Sequence, residues 1–265
     1  MAMKWSKEAE ERIKKVPFFV RKRVRKEVER EASASGASVV LPEHLEACRQ
    51  RYMSGKSHQT PGYEIEQCFG ADGCPNSAVD ISGLAGRMEE ILKAHRLKEH
   101  LLETVKGPLK MHHAFRVSIS NCPNACSRPQ IVDFGLIGAS LPAIDRDAKC
   151  TGCGLCRKAC REEAIVVDES GRISKIDDSR CLYCGGCIRA CKPGTILLER
   201  SGFRVLLGGK LGRHPQLATE LEGIYSPDQV IEILDRTVRH FKEHGGGPRR
   251  LGEILNETGL GYLRS

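Results

Sequence analysis

Thiols are the residues of this chain best placed to do chemistry. Thirteen of its 265 residues are cysteine. Cys150, Cys153, Cys156 and Cys160 follow the spacing C-x2-C-x2-C-x3-C, and Cys181, Cys184, Cys187 and Cys191 repeat it downstream. Three cysteines two residues apart wrap one iron–sulfur cube, and a fourth on the next helical turn reaches the second cube. The expected ligand sets are therefore crossed. Cys150, Cys153, Cys156 and Cys191 hold one [4Fe–4S] cluster, and Cys181, Cys184, Cys187 and Cys160 hold the other. Gly152, Gly154, Gly185 and Gly186 permit the tight turns that aim backbone N–H groups at sulfur. Zinc also takes C-x2-C pairs, but zinc sites rarely use three cysteines in consecutive C-x2-C steps, in duplicate.

Four more cysteines lie outside this repeat. Cys68 and Cys74 are spaced C-x5-C, and Cys122 and Cys126 are spaced C-x3-C. Two pairs suffice for a third [4Fe–4S] cluster. Neighbouring glycines and two Cys-Pro-Asn segments weigh against the alternative of small buried hydrophobes. Cys48 is left over on a helix face, where core packing explains it.

The elements that must position these thiols are mixed. Ser6 caps a first helix with Glu8 and Glu10 in its opening turn. Pro17 opens a second, in which Val20, Val24 and Val28 form a stripe. Pro42 opens a short third helix with Leu45, Cys48 and Tyr52 on one face. Residues 54–63 read as a linker. A helical pattern runs over about 78–104. Phe115, Val117 and Ile119 alternate as a half-buried strand. Ile131–Gly138 and Phe203–Leu207 are further strand candidates, and residues 227–243 and 249–257 read as helices. Strands mixed with helices indicate an α+β fold, interrupted over 146–200 by the cysteine repeat.

Composition narrows the class. With 40% hydrophobic and 29% charged residues the chain is neither membrane-spanning nor wholly disordered. The N-terminus turns polar at once, without the apolar stretch of a signal peptide, so a cytoplasmic protein is expected. A reducing compartment favours metal ligation by the cysteines over disulfides. Of the net +8 charge, +5 falls in residues 1–51, where 13 Lys/Arg face 8 Asp/Glu. Interleaved acids and the lack of a recognition motif favour a docking or solvated face over nucleic-acid binding.

Several segments resemble the iron–sulfur/siroheme half of the sulfite and nitrite reductase family. They are Cys68-x5-Cys74, Phe115–Pro129 with its Cys122-Pro-Asn-Ala-Cys126 core, Asp133-Phe-Gly-Leu136, Gly208–Pro215 and Leu251-Gly-Glu-Ile-Leu. The resemblance covers about 64–145 plus 202–258, and the insert over 146–200 resembles a bacterial two-cluster ferredoxin, as in dissimilatory members. The insert departs by having Arg161 where proline usually follows, and by carrying Pro193 one place late. Residues 4–53 resemble the small C-terminal domain of the light-independent protochlorophyllide reductase B subunit, through Trp5-Ser-Lys-Glu-Ala, Val16–Arg21 and Val24–Glu29.

The resemblance implies that Cys126 bridges its cluster to a siroheme iron. A polycarboxylate such as siroheme needs cationic partners, and Lys110, Arg116, Arg128, Lys210 and Arg213 lie beside the motif segments. His112 and His113 are conceivable proton donors; on a strand they point to opposite faces. Asn121 stands where the family places glycine, and asparagine tolerates a left-handed turn. The half-domain that precedes this half in full-length family members has no counterpart between 54 and 67. The expected function is an oxidoreductase that relays electrons through the ferredoxin clusters to a [4Fe–4S], siroheme-coupled centre for reduction of sulfite or a similar anion. An electron-transfer subunit without siroheme or substrate is the alternative. Either implies an electron-donor protein or reductase subunit as partner, and a homo-oligomer could complete a tetrapyrrole pocket.

Overall fold

The computed structural model describes residues 3–16, 18–59 and 61–264. Pro17 and the side chains of Val20 and Tyr52 lie outside the described residues. The chain divides into two compact units, residues 1–60 with 107–110, and residues 61–106 with 111–265.

The first unit contains β1 (Lys4–Trp5), α1 (Lys7–Lys14), α2 (Phe18–Ala34), β2 (Val39–Val40) and α3 (Pro42–Gln59). Ser6 accepts a hydrogen bond from the Ala9 N–H, which closes the open end of α1. β1 and β2 pair in parallel. Ala9, Val28, Ala32 and Val40 form the core, with Trp5, Val24, Leu45 and Cys48 packed against it. The Arg25 guanidinium lies 4.4 Å from the Trp5 ring centroid, while the Trp5 indole N–H donates to Glu29 at 3.0 Å. Helix α3 runs on to Gln59 where a linker was expected. Gly55 does not stop it; the Pro61-Gly62 pair follows its end.

The second unit is built on a sheet with strands in the order β3 (Tyr63–Gln67), β4 (Phe115–Ser120), β5 (Phe134–Ile144), β8 (Ile196–Leu207) and β9 (Thr219–Glu220). The first three strands are parallel and the last two join antiparallel. Helices α4 (Leu84–Ala94), α5 (Leu97–Thr104), α8 (Pro227–Glu243) and α9 (Leu251–Thr258) supply the rest of the core. Phe115, Val117 and Ile119 of β4, Phe134 and Leu136 of β5, and Phe203, Val205 and Leu207 of β8 bury one face against Met88, Leu92, Val230, Leu234, Val238 and Phe241. Helix α8 begins in a capping box made by Ser226 and Gln229, with Pro227 in its first turn.

Several boundaries differ from the expectation. The pattern over 78–104 is two helices, because Arg96 adopts a left-handed conformation (φ 50°) between α4 and α5. Ile131 lies in a short 3₁₀ turn before β5, and β8 begins at Ile196 rather than Phe203. That longer β8 explains where the insert sits. β5 and β8 form one ribbon from Phe134↔Leu207 to Ile144↔Ile196, and the cysteine repeat is the connection at its far end. Within it, α6 (Leu155–Ala159), β6 (Ile165–Val167), β7 (Ile173–Ile176) and α7 (Gly186–Ala190) enclose a small core around Ile165, Cys187 and Ile196.

Candidate iron–sulfur site

No disulfide joins any of the thirteen cysteines. In the insert, Cys150, Cys153, Cys156 and Cys191 line a single cavity. Burial pushes the Cys156 thiol up, and Cys191 and Cys150 stand near enough to push it further. The other set behaves the same way: burial, then Cys181, Cys184 and Cys160, raises Cys187 to about 12. The structure thus places Cys191 with the first three cysteines and Cys160 with the last three. Two short helices explain this crossing. Cys160 follows α6 and Cys191 follows α7, and the two helices pack on each other.

Backbone turns present amides to these sulfurs. The Ala164 N–H donates to Cys160 Sγ at 3.3 Å, the Ile196 N–H to Cys191 Sγ at 3.3 Å, and the Tyr183 N–H to Cys181 Sγ at 3.4 Å. Gly152, Gly154 and Gly185 have φ near 70°. Gly186 is not left-handed; Tyr183, at the position matching Gly152, takes that conformation with φ 57°. A side chain there costs roughly 1–2 kcal/mol, so the turn is imposed by the loop rather than by residue preference.

The remaining four cysteines gather beyond the C-terminal ends of two parallel strands. Cys68 follows β3 directly, and the segment from Asn121 to Ser127 follows β4. The Cys68 N–H donates to the Ile119 carbonyl at 2.9 Å, so the strand ladder continues into the site. Burial raises the Cys122 thiol, and Cys126, Cys68 and Cys74 all lie close enough to add to the effect. Cys122 is buried and Cys126 is exposed. The loop folds back on its own strand: Ser118 donates to the Ser127 carbonyl at 2.6 Å, and the Ser120 and Ser127 hydroxyls are 2.7 Å apart.

Asn121 does not use the left-handed turn that its family counterpart glycine would suggest; Ala125, four residues on, does (φ 52°). Instead the Asn121 side chain is buried, donating to Ser77 Oγ at 3.1 Å, and its N–H donates to Cys68 Sγ at 3.2 Å. It fills space that Gly70 leaves: a Cβ on Gly70 would fall 2.6 Å from the Asn121 Cβ.

Ser140, which the sequence did not mark, joins two of the sites. Its N–H donates to the Tyr183 carbonyl at 2.7 Å, and its hydroxyl donates to the Ala78 carbonyl at 2.5 Å. The Ala78 N–H in turn donates to the Asn121 carbonyl at 2.9 Å. A continuous path of three hydrogen bonds therefore runs from the Cys181–Cys187 loop to the residue before Cys122.

The donor sets fit iron–sulfur clusters. Each is all thiol, and no competing carboxylate or imidazole belongs to it. Thiols whose pKa is raised by burial and by one another need a cationic partner to ionise. Among the described residues no three His, Cys, Asp or Glu side chains converge on a single-ion site.

The candidate cations are mostly engaged. Arg116 pairs with Glu64 at 3.1 Å, Arg128 with Glu66 at 3.0 Å, and buried Lys210 with Glu253. Arg213 is exposed, and Lys110 belongs to the first unit. His112 and His113 lie in a 3₁₀ turn rather than a strand, so their rings touch edge-on, with centroids 4.3 Å apart, instead of pointing to opposite faces. Asp133, from the Asp-Phe-Gly-Leu segment, is fully buried. It accepts from the Arg116 and Leu251 N–H groups and pairs with Arg250. It thereby ties α9 to the sheet.

Residues 63–265 match the nitrite and sulphite reductase 4Fe-4S domain, and residues 5–49 match the proto-chlorophyllide reductase 57 kD subunit. The chain is 36% identical over 196 residues to a coenzyme F420-dependent sulfite reductase of Methanocaldococcus jannaschii, covering 73% of this chain and 29% of that protein. It is 28% identical over 209 residues to one subunit of the anaerobic sulfite reductase of Salmonella typhimurium, covering 77% and 56% respectively. A short stretch of 38 residues is 68% identical to one subunit of the light-independent protochlorophyllide reductase of Pelodictyon phaeoclathratiforme, covering 14% of this chain and 7% of that one. The chain spans less than two thirds of the length of each of these relatives. Among the described residues no helix is long and apolar enough to cross a membrane. With the match extending over most of its length, the chain belongs to the nitrite and sulphite reductase 4Fe-4S domain family and is a sulfite reductase-like iron–sulfur protein.

Proposed function

We propose that this chain is a three-cluster electron-relay component of a sulfite reductase-type oxidoreductase. Cys150, Cys153, Cys156 and Cys191 hold the first [4Fe–4S] cluster, Cys181, Cys184, Cys187 and Cys160 the second, and Cys68, Cys74, Cys122 and Cys126 the third. When bound, such clusters supply one-electron transfer. The chain's own part is to hold the thiols, exclude water from the buried ones and order the three sites. The observation that carries this reading is the Ser140 junction. It ties the loop of the second set to Ala78 and Asn121 beside the third, which supports a path through the second set to the third. The donor is a low-potential electron-transfer protein or a partner subunit, and the acceptor serves reduction of sulfite or a similar anion.

A second reading couples the third cluster to siroheme, and the exposure of Cys126 favours it. Of the four thiols at the strand ends, this is the one that faces outward. The carboxylate pairs on Arg116, Arg128 and Lys210 weigh the other way, unless a partner chain supplies the missing cations.

Anaerobic preparation from siroheme-producing cells, with iron, acid-labile sulfide and tetrapyrrole absorption measured together, tests both. About twelve irons from three four-iron cubes without tetrapyrrole bands support the relay. One further iron with those bands supports the coupled centre, and in that case Cys126→Ser damages both signals together. Zinc in place of iron and sulfide would overturn both readings.

A further inference from the structure

The two halves of the insert differ at one buried position. Four residues after Cys160 stands Ala164, and four residues after Cys191 stands Thr195. Both are almost wholly buried, at 1% and 3% exposure. Each begins the turn into a strand, and the carbonyl of each accepts from a distant backbone N–H, that of Asp177 or Asp145. Thr195 is among the residues that line the cavity of Cys150, Cys153, Cys156 and Cys191. Among the described residues its Oγ1 is the buried side-chain oxygen or nitrogen without a hydrogen-bond partner.

An unmet buried hydroxyl costs about 1–3 kcal/mol, and a threonine ordinarily avoids this by bonding to a nearby backbone carbonyl. Thr195 does not. Of the other residues lining the cavity, Ile173, Ile196 and Pro193 offer no polar side chain, the Thr151 hydroxyl is engaged with Cys153, and Cys150, Cys153, Cys156 and Cys191 offer sulfur. A hydroxyl is a donor as well as an acceptor, and coordinated sulfur carries negative charge. Hydrogen bonds to cluster sulfur are among the factors that set reduction potential, because they stabilise the more negative, reduced state.

Resting on the three-cluster reading, we propose that the Thr195 hydroxyl donates a hydrogen bond to sulfur of the cluster held by Cys150, Cys153, Cys156 and Cys191, raising its reduction potential above that of an otherwise like site. Ala164 supplies no such bond at the second cluster. The pseudo-symmetric ferredoxin insert is thereby made electrically unsymmetric by one oxygen atom, and Thr195 acts as a tuning residue that never touches substrate.

The test is a potentiometric titration followed by electron paramagnetic resonance on the anaerobic protein, comparing wild type, Thr195→Val, Thr195→Ser and Ala164→Thr. Thr195→Val keeps the shape and removes the donor. It should lower one midpoint potential and leave the others in place, by about 59 mV for a tenfold change in a one-electron equilibrium. Thr195→Ser should restore the wild-type value, and Ala164→Thr should raise a different midpoint. A deuterium-sensitive iron–sulfur stretch in the resonance Raman spectrum should disappear in Thr195→Val and return in Thr195→Ser. Unchanged midpoints in a Thr195→Val protein that retains its full iron and sulfide overturn the Thr195 assignment alone. Lack of iron and sulfide in the wild-type protein overturns the three-cluster reading and this assignment with it.

Discussion

The insert and the strand-end site solve the same problem, gathering four thiols, by opposite means. In the insert each set comes from two short segments of one repeat, and a five-residue helix carries the crossing cysteine to its partners. At the strand ends, Cys68 and Cys122 lie far apart in the chain and meet only because β3 and β4 are parallel and in register. Parallel strands cannot be joined by a tight turn, so α4 and α5 must intervene before the second pair arrives. The first site is a property of a local loop; the second is a property of a sheet and everything that packs it. Damage to the sheet should therefore reach the second site and spare the first.

The sharpest way to break this comparison is to double up cysteine losses. Cys160→Ser with Cys184→Ser strikes one set and should cost about four of twelve irons. Cys160→Ser with Cys153→Ser strikes two sets and should cost about eight, as iron analysis and spin quantitation would show. Equal losses from the two pairs would mean that the sets are not crossed.

Asp133→Asn leaves the Arg250 guanidinium short of its buried counter-charge. Loss of one partner of a buried pair costs about 3–5 kcal/mol. Chemical denaturation should show that fall, and the strand-end cluster should be lost at lower denaturant than the two in the insert. Simultaneous loss of all three signals would merge the two regions into one cooperative unit.

Gly70→Ala pushes a methyl group into the Asn121 side chain. Overpacking of this kind costs about 1–3 kcal/mol. Asn121→Gly in the same chain should recover most of the lost midpoint, since it removes the atoms in conflict. A double variant no better than Gly70→Ala would show that the loop's backbone, not Asn121, sets the constraint.

The smallest expected effect concerns pH. Burial first, and then His244, lowers the affinity of His240 for a proton, and its ring stacks on Tyr262 with centroids 4.1 Å apart. A histidine whose pKa is lower folded than unfolded leaves the unfolded chain binding more protons. Stability is then full above the unfolded value of about 6.5 and declines as pH falls from there toward the folded value. The insert contains no histidine, so this acid sensitivity should belong to the sheet and its helices. Denaturation midpoints at pH 7.5 and 5.5 should converge in His240→Gln, and an unchanged gap would assign the sensitivity elsewhere.

Legibility in the sequence followed the same division. The grouping of the eight thiols in the insert could be read from their duplicated spacing, whereas the meeting of Cys68 and Cys74 with Cys122 and Cys126 depends on β3 and β4 lying side by side. The β4 strand and α8 were readable from alternation and from the Ser226-Pro227 start. The break at Arg96 was not, because nothing in its side chain demands a positive φ. Tyr183 was missed for a related reason: its loop, not its residue type, forces the left-handed turn that glycine was expected to provide. Thr195 left a faint signal, the single hydroxyl opposite Ala164 when the two halves are aligned, but its lack of a partner is a fact about burial.

By itself the sequence pointed to the thiols as the metal-binding atoms and, within the insert, to how they group, because the duplicated spacing carries each fourth cysteine past its own three neighbours toward the other set. Tertiary structure alone decided that β3 and β4 end side by side, that Ser140 joins Tyr183 to Ala78, and that Arg116, Arg128 and Lys210 face carboxylates. Those contacts join residues tens of positions apart, and their energies depend on which surfaces the core has already brought together.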